Sequence, residues 1–323
     1  MRRATKVCII VAASLMLMGA LVFGVGLALG DGETIRFGGI EYVEHEYRID
    51  YEFENISIKC KTADINFLPS SDSAARVVCS ESDNLRYTVS ANAEGTLEIE
   101  LVDSRKWYEH ISFFSIGKSE INVYLPAGEY GALTVDGSTG DVEIPENFSF
   151  KSIDVALSTG DVECSASARG LLKIRTSTGE ISLEDVKTGA VELAVTTGKV
   201  SVKSVDCAGD VTLKVSTGKA SLTDVDCKSF TSSGNTGGIT LKDVIAEKKI
   251  SIERSTGDVS FDGCDAAEIY VTTDTGDVKG NLISDKVFIV ETDTGSVDVP
   301  RSTEGSRCEI KTDTGDVKIT VGQ

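Results

Sequence analysis

Ten times between Gly140 and Gly315 the chain repeats one short phrase: a Thr-Gly pair followed, two residues after the glycine, by an apolar residue. The glycines are Gly140, Gly160, Gly179, Gly198, Gly218, Gly237, Gly257, Gly276, Gly295 and Gly315, so successive gaps are 19 or 20 residues. A period this regular means one structural unit stacked on copies of itself, because a unit of that size cannot bury its apolar face alone. Around each glycine the apolar residues alternate with polar ones. Positions seven and five before it are apolar almost throughout, with Ser232 the exception at the second, and positions two and four after it are apolar with Gly280 the exception. Alternation of period two marks half-buried strands. The phase changes across Thr-Gly, which calls for a corner there, and glycine suits a corner because it adopts positive φ without a Cβ penalty.

Two strands and two turns per circuit give an all-β fold, a β-solenoid of about ten 19–20-residue coils. Stacked at about 4.8 Å per coil, they form a rod somewhat over 40 Å long. Helical repeats would need a 3.6-residue period, and a propeller blade about 40 or more residues. Residues 131–323 hold the regular coils. Residues 31–130 are less regular, with alternating runs such as Ile56–Cys60 and Leu97–Leu101, and read as an irregular β cap. Within them Lys61–Phe67 looks like a decayed copy of the later phrase. Asp316–Val321 runs almost to the carboxy terminus with nothing behind it, so that edge is a candidate for self-association.

Residues 7–29 carry no charge and, as a helix of about 35 Å, are long enough to cross a bilayer. Arg2, Arg3 and Lys6 precede them while Asp31 and Glu33 follow, which places the amino terminus in the cytoplasm and residues 31–323 outside. The competing reading is a cleaved signal peptide ending at Ala28-Leu29-Gly30. A signal h-region is usually about 7–15 residues, shorter than this run.

The arrangement resembles the bacterial putative-adhesin family of β-strand-repeat proteins, a domain of unknown function. The matching features are the single apolar segment, the Ile56–Ile65 stretch, Leu125-Pro126, and Ser-Thr-Gly-Asp-Val at 138–142, 158–162 and 255–259. The resemblance implies a β-solenoid at the cell surface and supplies no catalytic residues. Lys199 and Lys219, in place of Asp after their glycines, depart from the phrase.

A net charge of −19 disfavours nucleic acid and anionic surfaces as partners. Asp-Thr-Gly at 274–276, 293–295 and 313–315 spells the aspartic-protease triplet. That chemistry needs two aspartates sharing a proton across a cleft. The same place carries Ser or Thr in six of the other seven coils and Asn235 in the seventh, so aspartate there is one turn residue among several. His45 and His110 are too scattered to serve a nucleophile or a metal. No enzyme is expected, and no cofactor. The one candidate ion is calcium, held by Asp274, Asp277, Asp293, Asp313 and Asp316 where two acidic columns run side by side. The alternative is that these carboxylates are simply solvated. Cys207 and Cys227 lie nine residues after their glycines, hence on equivalent places of neighbouring coils, within disulfide reach or as two small buried hydrophobes. Cys60 and Cys79 are a second candidate pair.

The function expected is a membrane-anchored, non-catalytic adhesive or scaffolding surface that presents Thr, Ser and Asp to a surface glycan or protein. The alternatives are an envelope-stress sensor that binds a glycan, ion or peptide, and a self-assembling filament subunit.

Overall fold

The computed structural model describes residues 42–71, 74–104 and 119–322, together with the helical residues 12 and 14–19. All the strands belong to one compact unit, Tyr42–Lys106 with Lys118–Gln323. The other unit, Met1–Glu41 with Trp107–Gly117, falls almost wholly outside the described residues. Among the described residues no helix is long and apolar enough to cross a membrane. The segment 7–29, expected as a membrane span, lies outside them except for residues 12 and 14–19.

Seven strands come first: β1 (Val43–Ile49), β2 (Asn55–Lys59), β3 (Asp64–Pro69), β4 (Ala75–Glu81), β5 (Leu85–Ala91), β6 (Thr96–Asp103) and β7 (Glu120–Leu125). The repeats follow as β8 (Gly128–Thr139), β9 (Val142–Ile144), β10 (Phe148–Thr159) and β11 (Val162–Cys164), then the long runs β12 (Ser167–Cys207), β13 (Asp210–Thr236), β14 (Ile239–Thr256) and β15 (Val259–Thr275). The last are β16 (Val278–Leu282), β17 (Lys286–Thr294), β18 (Val297–Asp298), β19 (Ser306–Thr314) and β20 (Val317–Val321).

Through the middle the coils stack in parallel register. Leu133, Ile153 and Leu172 lie over one another, as do Phe230, Ile250 and Ile269, and all six are buried. Gly198 pairs with Gly218, as the period required. Gly218 has φ 140°, and a Cβ built on it would collide with the Gly198 carbonyl oxygen. Positive φ and close stacking together exclude any side chain there.

Two expectations need correcting. Five successive coils have a further corner, six residues after the glycine, where Asp185, Ser204, Asp224, Asp243 and Gly263 take φ between 51° and 63°. Aspartate tolerates that left-handed region better than most residues. The residue after each, from Val186 and Val205 to Cys264, turns back into the core. These five coils therefore have three straight segments, not two.

The second correction concerns order. Thr275 pairs with Thr314, and Thr314 pairs with Thr294, so the final coil (β19, β20) is inserted between β15–β16 and β17–β18. Consecutive stacking fails there, and β20, expected as the open edge, is covered on both sides. The open edge is β17–β18. Val297 is 48% exposed, whereas every other residue two after a repeat glycine is at most 3% exposed.

The first end is also out of order: β2 lies between β6 and β8, and β3 between β7 and β9. Thr62 bridges Thr139, and Ala63 occupies the glycine's place beneath Gly140, so the decayed phrase is a true coil of the stack. Antiparallel strands then close this end, β4 against β1 and β7, and β5 against β6.

Candidate functional site

The acidic column after the glycines is a hydrogen-bonded ladder. Asp64 Oδ1 accepts the Asp141 N–H at 3.0 Å, Asp141 Oδ1 that of Asp161 at 2.8 Å, and Asp161 Oδ1 that of Glu180 at 2.7 Å. Farther on, Asp258 accepts from Asp277 at 3.0 Å, Asp277 from Asp316 at 2.9 Å, and Asp316 from Ser296 at 2.7 Å. At these corners the regular sheet ladder is interrupted, and the carboxylate takes the orphaned N–H, a charge-assisted bond stronger than a neutral one. The Ser296 N–H, with its hydroxyl, holds the Asp316 carboxyl below the usual carboxylate range. Where lysine replaces aspartate, Lys199 and Lys219 pair directly within the strands, and Lys199 Nζ donates to Glu180 Oε1 at 2.6 Å.

The five residues expected to hold calcium fall in two columns. Asp277 and Asp316 belong to the ladder just described. Asp274, Asp313 and Asp293 stand side by side in that order, each exposed, between paired threonines. Among the described residues no group of three or more His, Cys, Asp or Glu side chains is arranged to hold a metal ion. His45 sits on β1 and His110 lies outside the described residues. Cys207 and Cys227 do lie on neighbouring coils, immediately after the paired Asp206 and Asp226, and both are free buried thiols. Burial pushes Cys227 up to about 12. Cys60 and Cys79 are likewise free and buried.

Three features escaped the sequence. Thr176, Thr273 and Thr312, each three residues before a glycine, are buried and tie the corner to the neighbouring coil. Thr176 Oγ1 donates to Gly160 O at 3.2 Å and Thr312 Oγ1 to Gly276 O at 3.2 Å. The second is Lys286, 1% exposed, whose Nζ donates to Asp265 Oδ1 at 2.5 Å, Ala266 O at 2.7 Å, and the Ser284 and Ser306 hydroxyls at 2.8 Å. It joins β17 to β15 and to the inserted β19, and so pins the unusual coil order. Burial pushes the Asp265 carboxyl up, but the Lys286 ammonium and the Ser284 hydroxyl outweigh it and hold it below its ordinary value.

The third is Arg254, 2% exposed in the core. Its Nη2 donates to Ser232 Oγ at 2.7 Å and its Nη1 to Val215 O at 3.4 Å, while Nε finds no partner. The guanidinium stands where a Cβ of Gly234 would be. Ser232 was visible in the sequence as an interruption of an aliphatic column; its partner was not, because the two are separated by a full coil.

A model of the Toastrack DUF4097 family matches residues 53–218 and, separately, 206–323. No curated protein matches the chain. Among solved structures it is similar to a putative adhesin from Bacteroides fragilis, at 15% identity over 86% of this chain and 97% of that one, TM-score 0.41. A putative lipid binding protein from Parabacteroides distasonis aligns at 15% identity over 86% and 97%, TM-score 0.44. A putative cell adhesion protein from Clostridium sporogenes aligns at 9% identity over 87% and 99%, TM-score 0.25.

Proposed function

The chain belongs to the Toastrack DUF4097 family, and from that premise we propose that it is a non-catalytic adhesive or scaffolding rod at the cell surface. The observation that carries this reading is the in-register stack itself. Each outward position becomes a column, so that Thr139, Thr159 and Thr178, and the aspartates beside them, form one continuous hydroxyl and carboxylate surface. A surface of this kind binds by many weak, repeated contacts, whereas catalysis needs unlike groups gathered at one point. Residues 7–29 anchor the chain, with the amino terminus cytoplasmic and the rod outside.

Protease shaving of intact cells, followed by an adherence assay of a deletion strain, tests it. Digestion of the rod with the cell intact and a fall in adherence are the expected results. Unchanged adherence, with a membrane protein recovered by cross-linking, would replace this reading with the sensor. One observation favours a second reading, self-association: among the described residues β17 and β18 are each paired on one side only.

A further inference from the structure

The carboxylate ladder runs in two halves, and the break between them falls at Lys199, Lys219 and Gly238. The first half ends at Glu180, which accepts from Lys199 Nζ. The second begins at Asp258, whose Oδ1 accepts the Asp277 N–H. Asp258 lies over the coil of Gly238, where Thr236 pairs with Thr256 and Ile239 with Val259. Gly238 has no side chain, so it cannot give the Asp258 N–H what Asp258 gives Asp277. The neighbouring corner bonds are made, from Gly237 N–H to Thr256 O and from Ile239 N–H to Asp258 O. Among the described residues neither the Gly238 N–H nor the Asp258 N–H has an acceptor. By the repeat, the Asp258 N–H points to where residue 238 would place a carboxylate.

A depression of about 530 Å³ lies over this break, lined by Lys199, Lys219, Gly238 and Asp258 and by the paired Ser221 and Thr240. Two ammoniums stand there against one carboxylate. Glu180 engages Lys199, whereas among the described residues Lys219 has no ion-pair partner. A further carboxylate beside Asp258 repeats a spacing that the ladder already tolerates between Asp141 and Asp161. Here it would also have Lys219 on its other side. A backbone N–H and an ammonium converging on one place select a carboxylate, because both bonds are charge-assisted.

We propose that an aspartate side chain of a partner protein inserts beside Gly238, accepts the Asp258 N–H, pairs with Lys219 and so completes the ladder. The ladder itself specifies the residue. Its six acceptors of an N–H, Asp64, Asp141, Asp161, Asp258, Asp277 and Asp316, are all aspartates, whereas the longer Glu180 accepts a lysine. This deepens the adhesive reading, on which the choice of a partner protein rests.

Amide NMR of the full chain in mild detergent, isotope-labelled at glycine and aspartate, tests it. The probes are N-acetyl-aspartate amide, N-acetyl-asparagine amide and sodium glucuronate. Saturable shifts of the Gly238 and Asp258 N–H signals are expected with the aspartate probe and none with the asparagine probe. Affinity should fall about tenfold in Lys219→Ala, whose side chain is exposed. It should disappear in Gly238→Asp, which supplies the carboxylate from the chain itself and should raise the melting temperature. Gly238 lacks the positive φ of Gly237, and a Cβ there would stand 3.0 Å from the Asp258 carbonyl oxygen, a close approach that a small shift relieves. No shift with the aspartate probe, an equal shift with the asparagine probe, or unchanged affinity in Lys219→Ala would overturn the site. Glucuronate binding as tightly would overturn the aspartate assignment. Cells that adhere although the aspartate probe does not bind would remove the site and leave the adhesive rod.

Discussion

The two ends of the stack meet the same problem, an exposed core and unpaired strand edges, and only one of them closes it. At the first end β4, β5 and β1 turn antiparallel and cover the coil, so that Val77, Cys79 and Tyr87 are buried. At the other end β17 and β18 remain parallel, and Ile289 and Val297 face solvent at about half exposure. Both ends share one device, a coil placed out of chain order, so that β2–β3 and β19–β20 each lie one layer inside. The difference teaches that coil order and end closure are separate decisions. Interleaving keeps a coil from peeling away, because two ladders must break instead of one. Only antiparallel strands remove the edge itself.

The largest contrast is expected in the column seven residues before the glycine. Phe230 is 0% exposed in the middle, while Phe288 in the terminal coil is only partly buried. Phe230→Ala should cost about 3–5 kcal/mol and Phe288→Ala roughly 1–2 kcal/mol in urea unfolding. Equal costs would mean that the terminal coil is as well packed as the middle.

The glycine column gives the next contrast. Gly218→Ala forces a Cβ against the Gly198 carbonyl at positive φ and should cost about 1–3 kcal/mol, whereas Ala63→Gly at the column's end should cost no more than about 1 kcal/mol. A tolerated Gly218→Ala would show that the corner relaxes. A smaller effect is expected at the open edge. Val297→Lys should leave the melting temperature unchanged and lower the sedimentation-average mass at high protein concentration. A wild-type chain that is monomeric at every concentration would remove self-association through β17–β18.

The smallest effect concerns pH. Asp316 is depressed below its unfolded value, so its contribution is full above roughly pH 4 and is lost as pH falls through the lower folded pKa. Asp316→Asn should flatten the melting temperature below pH 4 and lower it slightly at pH 7, where the Asn oxygen still accepts the Ser296 N–H but without the charge. Calcium at millimolar concentration should produce no measurable rise in either protein, because the ladder N–H groups already engage Asp277 and Asp316 and the column of Asp274, Asp313 and Asp293 is exposed to water. A rise that disappears in Asp274→Asn with Asp313→Asn would establish the calcium site.

Much of this was legible residue by residue. The Thr-Gly corner, the inward columns and the degenerate coil at Lys61–Phe67 all followed from spacing. The second corner was also written, as Asp185-Val186, Ser204-Val205, Asp224-Val225 and Asp243-Val244, but its signal is a tolerated φ and not an apolar alternation. The buried Arg254–Ser232 contact was half legible, since Ser232 interrupts its column while Arg254 looks like any polar residue on an exposed strand.

By itself, then, the amino-acid order determined the period, the side of each strand that faces inward and the place of each glycine, because these depend on neighbours two to six residues away. Tertiary structure alone decided which coil follows which at the ends, which end stays open, and that Ser232 and Arg254 meet. The last three coils carry nearly the same phrase, Asp274-Thr275-Gly276, Asp293-Thr294-Gly295 and Asp313-Thr314-Gly315, so any order satisfies the local pattern equally. What distinguishes them is contact between distant residues, above all Lys286 with Asp265 and Ser306, and such contacts exist only once the stack has formed.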